Sequence, residues 1–132
     1  MCIRDSWRTA QNLGASFIFT IGHRYSKQAS DTHDAVKAIP YYHYETFEDF
    51  IKNLPKGARL VGVELNDKAE NLEDFHHPRR CVYLLGAEDN GLTKEAIEKS
   101  HFLVKFKSRL SLNVAVAGSI VLYDRGLDKP RV

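Results

Sequence analysis

The chain has 132 residues, 43% of them hydrophobic and 27% charged, a balance ordinary for one folded domain and too apolar for a disordered segment. Its net charge of +2 permits a polyanionic partner without requiring one, and no apolar run approaches the roughly 18 residues needed to cross a bilayer. Two cysteines, Cys2 and Cys81, lie far apart with no Cys-x-x-Cys or Cys/His spacing, so neither a disulfide framework nor a zinc site is supported.

MCIRDS offers no basic segment followed by an apolar one, so no secretion signal is read and a cytoplasmic location is expected. The first predicted element is a short helix in WRTAQNLGA, residues 7–15, ended by Gly14. A strand follows at 16–21 (SFIFTI), then a helix at 31–39 stopped by Pro40. The next helix, 47–54, has Thr46 as N-cap and is closed by Pro55-Lys56-Gly57. Between these two helices, Tyr41, Tyr42 and Tyr44 with His43 suit either stacking on unpaired RNA bases or an aromatic edge of a core or interface. Apolar strands are predicted at 58–65 (ARLVGVEL), 80–86 (RCVYLLG) and 101–106 (HFLVKF). A helix runs from Thr93 to about residue 100, and the longest helix spans 111–125, with Ser111 able to cap it and Gly126 just beyond. Apolar strands alternating with helices indicate an α/β fold, a parallel sheet flanked by helices in a single domain over residues 1–132. Such a domain would normally place a strand before its first helix, and MCIRDS is a poor strand. The chain is therefore expected to lack its natural N-terminus, with residues 1–6 a foreign start.

The stretch LLGAEDNGLT, residues 84–93, nearly spells a phosphate-binding loop, Gly-x-x-x-x-Gly after a strand. Leu92 stands where such a loop has lysine, and the loop carries Glu88 and Asp89, which oppose a field built for anions. A ligand without phosphates that carries positive charge and needs close backbone approach fits better, and S-adenosylmethionine is such a ligand. A plain strand-to-helix turn with solvated acids accounts for the same residues. The missing lysine and the absence of a Gly-x-Gly-x-x-Gly after a strand disfavour a nucleotide-binding domain.

SLNVAVAGSIVLYDR, residues 111–125, strings together Ala115, Ala117, Gly118 and Ser119, which let a neighbour pack close, whether core, cofactor or partner subunit. LLGAEDNGL followed by SLNVAVAGSIVLYDR resembles motifs 2 and 3 of the TrmH (SpoU) branch of the SPOUT RNA methyltransferases. RTAQNLGA, residues 8–15, resembles the end of motif 1. The order and spacing are those of the family, and the resemblance covers nearly the whole chain after Ser6.

The resemblance implies a C-terminal deep trefoil knot, an exception to the rule that chains avoid knots. It implies a homodimer that transfers a methyl group from S-adenosylmethionine to a ribose 2′-hydroxyl of RNA, either tRNA or rRNA. By the same resemblance the cofactor is held by Val63 and Glu64 after one strand, by Leu85, Gly86 and Gly91 after the next, and by Phe106, Leu112 and Asn113 leading into the last helix. Arg8 matches the motif 1 arginine and Glu88 the motif 2 glutamate, while Ser111 and Asn113 match the polar pair of motif 3. These four are the expected catalytic residues. An arginine stays protonated at ordinary pH, so Arg8 is better suited to positioning a phosphate and stabilising a developing alkoxide than to removing a proton. Glu88 suits orienting a catalytic arginine or supporting the loop better than removing a proton.

Some positions depart from the family pattern. Cys2 stands where motif 1 carries asparagine, and Lys107 is close to the place of a frequent proline. Lys105, Lys107 and Arg109 suit either contact with RNA phosphates or a solvated basic face. A non-catalytic RNA-binding protein of the same fold is thus an alternative. His76 and His77 are adjacent rather than spaced for a shared metal, and the other four histidines form no ligand pattern, so no metal is expected.

Overall fold

The computed structural model describes residues 3–22, 39–86, 91–107 and 113–127. In chain order the elements are α1 (Ile3–Asn12), β1 (Ile18–Ile21), β2 (Tyr41–Tyr44), α2 (Phe47–Lys52), β3 (Arg59–Val63), β4 (Glu70–Asn71), a 3-10 turn (Leu72–Asp74), β5 (Cys81–Leu85), α3 (Lys94–Lys99), β6 (Phe102–Lys105) and α4 (Val114–Gly126). The α/β alternation expected from the apolar runs is present. The helix expected at 31–39 lies, except for Ile39, outside the described residues. The contacts divide the chain into two compact units, Met1–Pro55 and Lys56–Val132.

In the first unit, β1 and β2 pair in parallel, with Ile18 opposite Tyr41 and Ile21 opposite Tyr44. Tyrosines and other aromatic residues suit a pleated strand, and Tyr41–Tyr44 serves as one here. Successive side chains point to opposite faces, and each face has a helix. On one, the Trp7 ring of α1 lies 5.3 Å from that of Tyr41, and its indole N–H donates to the Ile39 carbonyl at 3.2 Å. On the other, Phe50 of α2 stacks on Phe19 at 4.6 Å and meets Tyr44 edge-on at 5.7 Å. Thr46 caps α2 as its sequence predicts, its Oγ1 accepting from the Asp49 N–H at 3.1 Å.

The second unit holds a four-stranded sheet in the order β4-β6-β3-β5, and each described pair of neighbours is parallel. Leu60, Val61 and Gly62 of the central strand β3 are buried without interruption, as a parallel strand covered on both faces requires. Val61 and Val104 join Leu72, Phe75 and Val121 of α4 in one core. On the opposite face, the Gly62 Cα is packed so closely by the side chains of Leu103, Ser100 and Leu92 that a Cβ would stand 2.9 to 3.0 Å from all three. Thr93 caps α3 through its Oγ1, 3.1 Å from the Ala96 N–H. The last helix starts later than its sequence suggests. Its N-cap is Asn113, whose Oδ1 accepts from the Ala115 N–H at 3.0 Å, and its first residue is Val114. Asparagine is among the best N-caps, and here it takes the role assigned to Ser111. Ser111 itself lies outside the described residues.

Candidate functional site

In an open parallel sheet, ligands settle beyond the carboxyl ends of the strands. The register of β5-β3-β6 brings three such ends together. Val63 at the end of β3 pairs with Leu85 at the end of β5 and, on its other side, with Val104 of β6. Glu64 is still held by the sheet, its N–H donating to the Val104 carbonyl at 3.0 Å. Phe106 follows β6 directly and, like Val63, packs half-buried on the core beneath. Six of the residues expected to hold a cofactor, Val63, Glu64, Leu85, Gly86, Gly91 and Phe106, thus belong to neighbouring strand ends.

Gly86 and Gly91 form a closed corner there. A Cβ on Gly86 would collide with the Gly91 carbonyl carbon and the Leu92 nitrogen, so the two stretches of backbone touch where only hydrogen can fit. Gly91 sits at φ 66°, and a Cβ on it would run into the Glu64 carboxylate. That carboxylate accepts from the Leu92 N–H at 2.6 Å and from the Leu65 N–H at 3.0 Å. The glycines were expected to let backbone approach a ligand. They also let backbone approach backbone, and a side chain locks the result.

The other expected residues fall as follows. Asn113 is exposed and caps α4. Arg8 is an exposed residue of α1 in the first unit. Glu88, Ser111 and Leu112 lie outside the described residues. Leu85 reaches toward α4, its Cδ2 standing 3.7 Å from where a Cβ on Gly118 would be. Lys107 pairs with Glu73 at 3.2 Å, both side chains being well exposed. Among the described residues no group of three His, Cys, Asp or Glu side chains could hold a metal ion, and no helix is long and apolar enough to span a membrane.

The spacing of the histidines gave no hint of a connected polar cluster in the second unit. His77 is fully buried, with Nε2 2.7 Å from Asp124 Oδ2 and Nδ1 2.6 Å from the Tyr83 hydroxyl. A carboxylate only accepts, so Nε2 carries a proton. Arg125 Nη1 donates to the Tyr83 oxygen at 3.2 Å, to the Pro78 carbonyl at 2.7 Å and to Cys81 Sγ at 3.3 Å. The remaining ring nitrogen, Nδ1, shares its hydrogen bond with the Tyr83 hydroxyl, so both nitrogens of the buried ring have a partner. Burial pushes the Tyr83 phenol well above its ordinary pKa of 10.0, with the Cys81 contact adding to the rise, and burial likewise pushes up the Cys81 thiol. Burial opposes the Arg125 charge, but the bond to Tyr83 and the electrostatic attraction of Tyr83 and Cys81 together outweigh it and hold the guanidinium above its usual value. The half-buried Cys81 is thus kept as a thiol at neutral pH. The network ties the end of α4 to β5, the strand that leads into Gly86. The one sequence signal was a charged pair, Asp124-Arg125, ending an apolar helix.

These features define an α/β protein of parallel sheets flanked by helices, with loops gathered at the carboxyl ends of its strands. Residues 6–123 match the model of the SpoU rRNA Methylase family, and the chain belongs to that family. It is 25% identical over 123 residues to the tRNA (guanosine(18)-2′-O)-methyltransferase of Escherichia coli (strain K12), across 89% of this chain and 54% of that protein. The chain therefore spans about half the length of the curated relatives it matches. The AdoMet-bound rRNA methyltransferase from Sinorhizobium meliloti superposes with a TM-score of 0.81 at 27% identity, over 92% of this chain and 49% of that one. The SpoU methyltransferase AviRb from Streptomyces viridochromogenes shares the fold with a TM-score of 0.81 at 21% identity, over 96% of this chain and 54% of that one.

Proposed function

We propose that this chain is the S-adenosylmethionine-dependent methyltransferase domain, over residues 1–132, of an enzyme that methylates a ribose 2′-hydroxyl of tRNA or rRNA. The observation that carries this reading is the closed glycine corner at the ends of β3, β5 and β6, in a chain of the SpoU family. The corner fits the cofactor chemically. It presents backbone groups and half-buried apolar side chains, Val63, Leu85 and Phe106, for an adenosine, and it has Leu92 where a phosphate-binding loop has lysine. Gly86, Gly91, Leu112 and Asn113 would complete the pocket. When bound, S-adenosylmethionine supplies an electrophilic methyl group on a sulfonium.

The protein's own task is to hold a ribose oxygen in line, manage its proton and keep water out. Arg8, permanently cationic, binds an RNA phosphate and stabilises negative charge developing on the oxygen. Glu88 orients a catalytic arginine or supports the loop that carries it, and Ser111 and Asn113 supply polar groups beside the reacting centre. The fold is completed by the C-terminal deep trefoil knot that the family resemblance implies. α4 and its C-cap carry Val116, Ile120, Tyr123 and Leu127, 40 to 61% exposed and spaced i, i+4, i+7, i+11, a stripe suited to packing on a second copy in a homodimer. The enzyme works in the cytoplasm, with RNA as its macromolecular substrate.

The test is transfer of a labelled methyl group from S-adenosylmethionine to bulk tRNA and, separately, to rRNA. Alkali-resistant dinucleotides in the product, lost in Arg8→Ala and Asn113→Ala, are the expected result. Cofactor and RNA binding without transfer would favour the non-catalytic reading, which the cysteine in place of the motif 1 asparagine supports.

A further inference from the structure

Glu64 was expected to contact the cofactor, yet both of its carboxylate oxygens are already engaged by backbone. Oε2 accepts from the Leu92 N–H at 2.6 Å and Oε1 accepts from the Leu65 N–H at 3.0 Å, and a carboxylate acceptor makes such bonds stronger than neutral ones. Its own N–H is fixed to the Val104 carbonyl at 3.0 Å, so the side chain projects from backbone that the sheet still holds. Gly91, at φ 66°, presses its Cα against the same carboxylate, and Gly86 presses against Gly91 and Leu92. The Leu92 side chain is buried, with Cδ1 against Gly62 of the central strand. One carboxylate therefore joins the loop after β3 to the returning end of the loop after β5.

We infer that Glu64 is a positioning residue, a latch that fixes the Gly91–Leu92 backbone and through it the shape of the cofactor pocket, rather than a countercharge for the cofactor's cations. This rests on the cofactor reading proposed above. The two roles differ in what they ask of the ligand. A countercharge acts on cations only and falls with ligand charge. A latch acts on every ligand that uses the loop, charged or not, because it lowers the fraction of protein whose loop is already in its binding shape when it is lost.

The experiment compares the full chain with Glu64→Gln and Glu64→Ala. Calorimetric titration uses S-adenosylmethionine, S-adenosylhomocysteine, which lacks the sulfonium charge, and neutral 5′-deoxy-5′-methylthioadenosine. Hydrogen exchange at the Leu92 amide and the melting temperature are read without ligand. The latch predicts that Glu64→Ala weakens all three ligands by a similar factor, roughly tenfold, within the range that a charge-assisted hydrogen bond supports. It predicts faster exchange at Leu92 with little change at Val104. Glu64→Gln keeps one carbonyl acceptor and should rescue much of both effects; if the alanine variant does not fold, the glutamine variant carries the comparison. Weakening confined to the two amino-acid-bearing ligands, or unchanged affinities, would overturn the latch. Wild-type protein that binds none of the three would overturn the cofactor reading instead, and Leu92 exchange would still decide whether the latch exists.

Discussion

At the scale of single residues, chemistry at the sheet's edge and chemistry in the core follow different rules. His77 is surrounded, and its two ring nitrogens hold Tyr83 and Asp124 together. Substituting it by alanine opens a cavity and strips a hydrogen bond from each partner. His77→Ala should cost about 2 to 4 kcal/mol in chemical unfolding, with the unfolding slope unchanged. Tyr83 and Cys81 make a second expectation. Their folded-state pKa values are raised above their ordinary values of 10.0 and 9.0, so each contributes stability that is fully present below the ordinary value and is lost as pH rises through the folded one. Melting temperature should thus be level on the neutral side and fall above about pH 9, and Tyr83→Phe should flatten part of that fall while lowering stability at neutral pH. A fall of equal steepness in Tyr83→Phe would rule this group out as its source. None of this was legible in the sequence, because Asp124 lies 47 residues from His77 and no local spacing encodes a contact made by folding. Adjacent histidines read only as a failed metal pattern.

At the scale of elements, local rules worked where the signal was local. Thr46 and Thr93 cap the helices they precede, and the apolar runs became β1, β3, β5 and β6 within a residue or two at each end. They failed where two residues compete for one job or where pairing decides. Ser111 and Asn113 are both good caps, and the Asn113 bond to the Ala115 amide identifies the winner. Tyr41–Tyr44 has no apolar alternation to mark it, and its strand exists because β1 offers a parallel ladder and two helices cover its aromatic faces. Phe50, 2% exposed, is central to that arrangement, and Phe50→Ala should destabilise by about 3 to 5 kcal/mol. The glycines separate by the same logic. Gly118 lies in α4 with ordinary room for a Cβ, so Gly118→Ala should leave the isolated fold as stable or up to about 1 kcal/mol more stable. Gly86 has backbone where its Cβ would go, so Gly86→Ala should displace the corner even in protein that melts normally.

At the scale of the whole molecule, family membership was visible in the order of the motifs, since fold and site are encoded together in LLGAEDNGL and SLNVAVAGSIVLYDR. The architecture of parallel sheets flanked by helices then positions three strand ends side by side, which no single motif states. The stripe of α4 carries the prediction that belongs to this scale. If the proposed homodimer packs through this stripe, Ile120→Glu and Tyr123→Glu should give a monomer in analytical ultracentrifugation without unfolding the chain, whereas an unchanged sedimentation coefficient would contradict that proposal. The account as a whole depends on the glycine corner being a cofactor site. It is tested most directly by calorimetric titration of S-adenosylmethionine into the purified chain and into Gly86→Ala. Binding of about one molecule per chain, abolished or weakened at least tenfold in Gly86→Ala, is the predicted result. A folded wild-type protein that takes up no cofactor, or a Gly86→Ala variant that binds as tightly as wild type, would contradict it.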